Sequence, residues 1–540
     1  MTLKRRHSAA GPKIQKPVRR CPDGFPLLAL LALSVALHGL YWLEPPGSDQ
    51  GLFMAEADLL LKGSALYRDV WEHKPPGCLA LYALALEVFG RDYFSIRLLN
   101  WLVATAVASM LYVLGLRGGL SRAAAGFGAA TYLAFDSGPA FGGFWSVAQA
   151  ESFLDPLLCV GLLLLQPSAA NSTTPRRCFG AGIVIGTAIV TIKYSAVPWL
   201  ALVLVCRRAE PGARMTRVAS FGLGCAVPLL IMFGYFAATG RARAWFEATV
   251  LFNLDHQAIG ASAFWDEPLT RLFPSGTTLL VFYVFALVAL LSWAKSAARD
   301  AADRWLELGA FLWLLAFIQV LIQRKFWAYH YHVMLLPLAA SAAVGFQRCL
   351  DAAAQRSSRR RATLICTAAA LLLSFGYIQR CVRYADRHAL LAAISGRLPR
   401  ERFYLTYTWG THVYDYALDR MISAHVKSST RSTDRILIWT FEPLIYFLSE
   451  RKPASRFLFD YPLTQPNSRL HAAYIRALMQ DIQAHPPALF LVRSNDRNGI
   501  EAQDSATQLA AIPVLADYVA AHYVPAWAAG DFVGMLRKAH

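Results

Sequence analysis

One short segment near the N-terminus places a carboxylate and an ammonium together. It runs SDQGLFMAEADLLLKGSALYRDVWEHKPPG from Ser48 to Gly77 and follows directly on an apolar run, Phe25 to Leu43. Asp49 can take a proton from an acceptor hydroxyl or amine, or anchor that group; its structural alternative is to cap the following helix. Lys74 stands before Pro75 and Pro76, which stiffen the backbone and hold the ammonium in place for a phosphate. Its structural alternative is snorkelling to lipid headgroups. His73 is a weaker candidate in the same cluster. The loop is equipped for chemistry on a charged, lipid-linked substrate.

Further polar residues sit at the ends of apolar runs. Glu151 and Asp155 are four apart at the start of one run, hence on one helical face. An acid at mid-bilayer costs about 2.5–3.5 kcal/mol, so such residues face a cavity or a partner. Glu151 is the choice for a second site carboxylate, against a charge at a helix N-terminus with Ser152 as cap. Lys193, in TIKYSAVP, lies between two short apolar runs and suits a buried carboxylate, a phosphate or the interface equally. QRKFWAYHYHVMLLP (323–337) opens a run with Arg324 and Lys325. An aromatic belt explains its Trp and Tyr residues. Two adjacent cations there favour an anion site, in which Arg324 can grip a phosphate in two-pronged fashion. His330 and Tyr331 are possible substrate contacts. His330 and His332 are two apart, the wrong spacing for one helical face, so no metal site is read. A polar loop around Asp255 completes the set.

These residues need a membrane to position them. The chain has 540 residues, is 56% hydrophobic and carries a net charge of +18. Bilayer-length apolar runs recur from Phe25 to about Ile378, the pattern of a polytopic α-helical membrane protein. The positive charge is concentrated between apolar runs, as in KRRHSAAGPKIQKPVRR at the start and RSSRRR at 356–361. That is the bias toward basic cytoplasmic loops, and it argues against a nucleic-acid partner. The charges give a cytoplasmic N-terminus and about eleven spans, with the run 77–90 interfacial or re-entrant rather than crossing. Asn171-Ser172-Thr173 matches a glycosylation acceptor, but falls on the cytoplasmic side in this topology. No CxxC pair occurs among the nine cysteines. No internal repeat is visible, which weakens a transporter reading.

The divisions expected are a basic cytoplasmic arm (1–24), a transmembrane domain (25–380) with a first outer loop (44–94), and a soluble α/β domain (381–540). In the last, 403–408, 435–440 and 488–493 read as buried strands and 468–484 as a helix. It has no glycine-rich phosphate loop.

The order of these motifs resembles the GT-C glycosyltransferases, and in particular the bacterial branch related to protein O-mannosyltransferases and the lipid A aminoarabinose transferase. The resemblance runs through Asp49-Gln50, AEADLLLKG, Tyr67-Arg68-Asp69, His73-Lys74-Pro75-Pro76-Gly77, Glu151, Lys193, Arg324 to Tyr331, and DRILIWTFEPLIYFLSERKPASRF. It implies an integral enzyme of the bacterial inner membrane, active on the periplasmic face. The donor would be a polyprenyl-phosphate sugar, and the acceptor a lipid, a glycan or a protein. Asp49 would deprotonate or orient the acceptor, with help from Glu151. Lys74, Arg324 and Lys325 would hold the phosphate, while His73, Asp155, Lys193, His330 and Tyr331 would contact substrate. Transfer would be an inverting displacement requiring no cofactor; metal dependence varies among such enzymes, and a divalent metal stays open without being indicated by these residues. Gln50 departs from the family, which commonly has an acid there. The alternative is a lipid-linked glycan ligase or polymerase, or a flippase or transporter.

Overall fold

Leu-, Ala- and Val-rich runs cannot leave backbone polar groups bare in an apolar setting, and here they form helices. The computed structural model describes residues 25–166, 174–207, 211–257, 277–409, 414–497 and 502–538. The basic arm and the Asn171 acceptor motif lie outside the described residues. The chain opens with α1 (Phe25–Gly39), α2 (Ser48–Leu61), α3 (Pro76–Phe89), α4 (Tyr93–Arg117), α5 (Arg122–Ser137), α6 (Ala150–Leu165), α7 (Pro175–Thr187), α8 (Pro211–Ala238), α9 (Ala242–Phe246) and α10 (Phe252–Gln257). Long helices follow at Leu280–Lys295, Ala301–Gln323, Leu335–Ala354 and Arg359–Leu373.

Among the described residues, five helices are long and apolar enough to cross a membrane, or six if Arg359–Leu373 and Phe375–Arg387, bent by 55°, make one span. Shorter apolar helices include Pro26–Gly39, Pro76–Phe89, Tyr194–Val205 and Leu280–Lys295. The run expected to be interfacial is thus a short helix. Exposed Leu223, Leu229, Leu230, Ile231 and Phe233 give α8 a lipid-type surface.

Side chains and glycines set the breaks. Asp92 caps α4 by accepting from the Phe94 N–H at 2.9 Å. Gly118-Gly119 ends it, with Gly119 at φ +86°. Small residues permit the closest helix contacts. A Cβ on Gly345 would lie 1.8 Å from the Phe285 carbonyl oxygen, so the Leu335–Ala354 and Leu280–Lys295 helices touch backbone to side-chain position. Gly345→Ala should therefore cost about 1–3 kcal/mol, seen as a lowered melting temperature of the purified protein. An unchanged melt would mean the helices are not packed this closely.

The C-terminal part folds around a five-stranded sheet. A two-residue ladder, β1 (Thr408–Trp409) with β2 (Tyr414–Asp415), precedes it. The sheet holds β3 (Arg435–Trp439), β4 (Lys452–Pro453), β5 (Leu489–Arg493), β6 (Tyr523–Ala529) and β7 (Phe532–Arg537), in the order β4-β3-β5-β7-β6. β3 runs parallel to β4 and β5, whereas β7 is antiparallel to β5 and β6. The strands expected at 435–440 and 488–493 correspond to β3 and β5, and the expected helix is His471–Ala484. The strand expected at 403–408 is a correction. Pro399 opens a short helix, Arg400–Tyr404, and only Thr408 of that stretch enters a ladder. Its aromatics pack elsewhere: Tyr407 on Phe144 and His388, Tyr404 on Tyr416.

Candidate active site

The chain arrives at Asp49 under tight control. Glu44 is buried and accepts from the Tyr384 hydroxyl at 2.7 Å and the Tyr407 hydroxyl at 3.3 Å, with Arg97 3.4 Å away. Arg97 also donates to the carbonyls of Glu44 and Pro45, and the Tyr414 hydroxyl donates to that of Pro46. Membrane helix α4 and the C-terminal domain thus clamp the same turn. A Cβ on Gly47 would sit 3.0 Å from the Trp145 ring and 2.8 Å from Gln50 Oε1, so a larger residue would push on both.

Asp49 then falls in the first turn of α2, where the helix dipole favours a carboxylate. It accepts from Gln149 Nε2 at 3.2 Å and is hydrogen-bonded to the Tyr329 hydroxyl. The neighbouring Gln50, where the resemblance noted in the sequence leads one to expect an acid, has a task of its own. Its amide donates to the carbonyls of Trp145 at 2.9 Å and Val147 at 2.7 Å. An ionised acid there would face those oxygens without a proton to give. Gln50 is a strut.

Lys74 reaches the same place from the other end of the loop. The Tyr67 hydroxyl donates to the Lys74 carbonyl at 2.9 Å, and Asn253 donates to that of His73 at 2.6 Å. Trp71 is wedged among Phe252, Phe457, Phe459 and Tyr474. Pro75 is the N-cap of α3 and Pro76 its first residue, so the prolines fix the exit. The ammonium lies 4.2 Å from the centre of the Phe53 ring. Burial opposes its charge, but Asp49 and Glu72 outweigh that and hold its pKa above the usual lysine value.

Beneath it lies a carboxyl pair absent from the sequence reading. Glu56 and Glu72 are both buried and lie within electrostatic reach of each other. Burial and the Glu72 charge push Glu56 well above the usual carboxylate range, while His73, Lys74 and the Glu56 proton hold Glu72 below it. Glu72 also accepts from the Lys74 N–H at 2.8 Å, and His73 Nδ1 lies 2.9 Å from it. His73 therefore faces the support of Lys74.

The membrane helices supply the remaining wall. Glu151, at 0% exposure, is ion-paired with Lys193. Lys193 occupies an extended break between a π-helical turn, Ala188–Ile192, and the 3₁₀ segment Tyr194–Arg207. That break, legible only as a bent pair of spans, frees its side chain to cross to α6. Its ammonium is 5.9 Å from the centre of the Tyr329 ring. His330 is buried, with Lys74, Lys193 and Lys325 within electrostatic reach of its ring. Its Nδ1 has no hydrogen-bond partner among the described residues. Burial pushes the Lys325 pKa down to about 8. Arg324 and Phe326 have φ of +55° and +50°, so a strained turn carries Lys325. Arg324 itself is exposed, and Tyr331 is buried in the 3₁₀ segment Ala328–Met334.

Asp155 sits one turn below Glu151 in a different network. It accepts from Tyr132 at 2.7 Å and lies 3.7 Å from His332. His332 Nε2 is 2.8 Å from Asp136, which also meets His38 at 3.2 Å. The 3₁₀ segment splits its aromatics, sending Tyr329 to Asp49 and His332 to Asp136. Sequence reading missed Asp136, His38, Gln149 and Tyr329. An acid inside the apolar run 123–137 was the available sign for Asp136.

The cluster thus combines one partly exposed carboxylate, held by two donors, with three ammonium groups around a buried imidazole. It can accept a proton at one side and hold an anion at the other.

No protein-family model matches the chain, and no curated protein matches it significantly. Solved structures do. The chain superposes on ArnT from Cupriavidus metallidurans bound to undecaprenyl phosphate with a TM-score of 0.54 and 13% identity, over 95% of this chain and 98% of that one. The apo state of ArnT gives 0.53 and 13%, over 94% and 97%. AglB, an oligosaccharyltransferase from Archaeoglobus fulgidus in complex with an inhibitory peptide and a dolichol-phosphate, gives 0.45 and 13%, over 87% and 69%. The fold is that of the GT-C proteins.

Proposed function

From this GT-C fold and its cluster, we propose that the chain is an integral-membrane glycosyltransferase that uses a polyprenyl-phosphate sugar. The observation that carries the reading is the delivery of Asp49 and Lys74, by one clamped loop, to the same ring of lysines. The likeness to a protein that binds undecaprenyl phosphate supports the donor class. In this reading the chain crosses the bacterial inner membrane about eleven times, with the N-terminus inside. The first loop (44–94) and the domain at 381–540 face the periplasm.

Asp49 takes the proton of an acceptor hydroxyl or amine as that atom attacks the anomeric carbon. The bond from that carbon to the phosphate oxygen breaks, and the electron pair leaves with the polyprenyl phosphate. Lys74, Lys325 and Arg324 neutralise the departing anion, with Lys193 and His330 behind them. A single displacement inverts the anomeric centre. Gln149 and Tyr329 aim Asp49, and Glu151 holds Lys193 beside the acceptor side.

The test is transfer by purified protein from a panel of radiolabelled polyprenyl-phosphate sugars into membrane extract, with Lys74→Ala alongside. Transfer from one donor, lost in the variant, is expected. Turnover or transport of pyrophosphate-linked glycan alone would replace this reading with a ligase or flippase.

Lys325 adds a pH dependence. Its lowered pKa means that the ammonium is lost as pH rises through about 8. A sugar phosphodiester does not titrate there, so kcat/KM for the donor should fall above that pH, by up to about tenfold per unit. Lys325→Arg should remove this limb from the profile, since guanidinium stays charged. An unchanged limb in the variant would take Lys325 out of the anion site.

A further inference from the structure

The helix Phe375–Arg387 presents three different faces. Tyr377, Tyr384 and His388 turn to the protein. The Tyr377 hydroxyl donates to the Ala134 carbonyl, the Tyr384 hydroxyl to Glu44 at 2.7 Å, and His388 stacks on Tyr407. Phe375, Ile378 and Val382 share a second face and are exposed at 56%, 41% and 63%. Arg380, Arg383 and Arg387 repeat that spacing on a third face, and all three are exposed. Arg380 anchors the third stripe by donating to the Pro139 carbonyl at 3.0 Å. The chain carries the pattern onward, with Leu391, Ile394 and Leu405 exposed, and with them Arg397, Arg400 and Arg402. Between 375 and 405 stand six arginines and two carboxylates, Asp386 and Glu401.

A bend sets the depth of this helix. The preceding helix, Arg359–Leu373, exposes Leu364, Ile365, Leu371 and Leu372, a lipid-type surface. The two axes differ by 55°. With the first helix along the membrane normal, its fifteen residues rise about 22 Å, and the thirteen inclined residues add about 11 Å. From a cytoplasmic Arg359-Arg360-Arg361, the chain reaches Arg383 and Arg387 where a hydrocarbon core of about 30 Å gives way to headgroups. In that topology these arginines lie on the outer side, where the bias toward basic cytoplasmic loops does not account for them.

We propose that this face binds acidic glycerophospholipid. The stripe of Phe375, Ile378 and Val382 enters the acyl layer, and the guanidiniums of Arg383 and Arg387 hold the headgroup phosphate. Charge complementarity selects an acidic lipid over a neutral one. The inference rests on the chain lying in a membrane, and not on sugar transfer. The same helix carries Tyr384 to Glu44, so bound lipid steadies the turn that leads to Asp49.

The test uses the full-length protein in nanodiscs of phosphatidylcholine that contain phosphatidylglycerol with a photoreactive headgroup. Cross-links are mapped by mass spectrometry of the peptides. Labelling within 375–405 is expected, and unlabelled phosphatidylglycerol should displace it. Arg383→Gln combined with Arg387→Gln should raise the mole fraction needed for half-maximal labelling by about tenfold or more. Lysine at both positions should keep it near wild type, because the charge remains. Both residues are exposed, so neither pair of changes should move the melting temperature. No labelling in this segment, labelling equal in wild type and the glutamine pair, or equal loss in the lysine pair overturns the proposal. Displacement by undecaprenyl phosphate alone would also overturn it, by making the face a site for the carrier lipid. A protein that transfers no sugar but is labelled as expected leaves the lipid face standing and removes the transferase reading.

Discussion

Asp49→Asn should lower kcat by about 10²–10⁴-fold while leaving the melting temperature within a degree or two of wild type. The substitution keeps the size of the side chain and an oxygen for Gln149 and Tyr329 to donate to. It removes only the basicity. The clamp on the preceding turn, through Glu44, Arg97, Tyr384 and Tyr414, does not involve residue 49 and holds the backbone in place. A loss confined to KM for the acceptor would make Asp49 an anchor instead of a base. Unchanged kcat and KM would remove it from the site.

Lys193→Met should be the most damaging of the single changes to stability within the site. It leaves Glu151 without its ion pair at a fully buried position. Breaking one partner of such a pair costs about 3–5 kcal/mol, far more than the pair itself contributes. Glu151→Gln combined with Lys193→Met removes both charges and should recover most of that stability. It should not recover activity, because the lysine ring around His330 has lost a member. Thermal melts of wild type, Lys193→Met, Glu151→Gln and the double variant, with sugar transfer measured on each, separate the two roles. A double variant as active as wild type would make the pair purely structural. One no more stable than Lys193→Met alone would mean that the pair does not act as a unit.

Much of this was legible along the chain because the informative groups are local. Asp49, Lys74 and the two prolines share one loop, so their spacing carries their relation. β3 and β5 are continuous apolar runs of strand length. The support of the site is a different matter. Asp136 and His332 are 196 residues apart, Glu44 and Tyr384 340 apart, and Asp49 and Gln149 100 apart. Such pairs meet only through helix packing, which no periodicity encodes. Glu44 reads as the polar end of a span, and Tyr329 as part of an aromatic belt, until the fold shows what each touches. The stretch 403–408 misled for a related reason. Its aromatic and β-branched residues suit a strand by composition, yet the aromatics are buried by Phe144, His388 and Tyr416 around a short helix.

The lipid product separates a displacement at a monophosphate donor from every alternative. Purified protein would be incubated with the donor lipid that turns over and with its acceptor, and the lipids resolved by mass spectrometry for wild type and Asp49→Asn. Wild type should release polyprenyl monophosphate in step with glycosylated acceptor, and the variant should yield neither product at comparable times. Release of a polyprenyl pyrophosphate, or movement of intact donor across the bilayer without bond cleavage, would rule out the displacement.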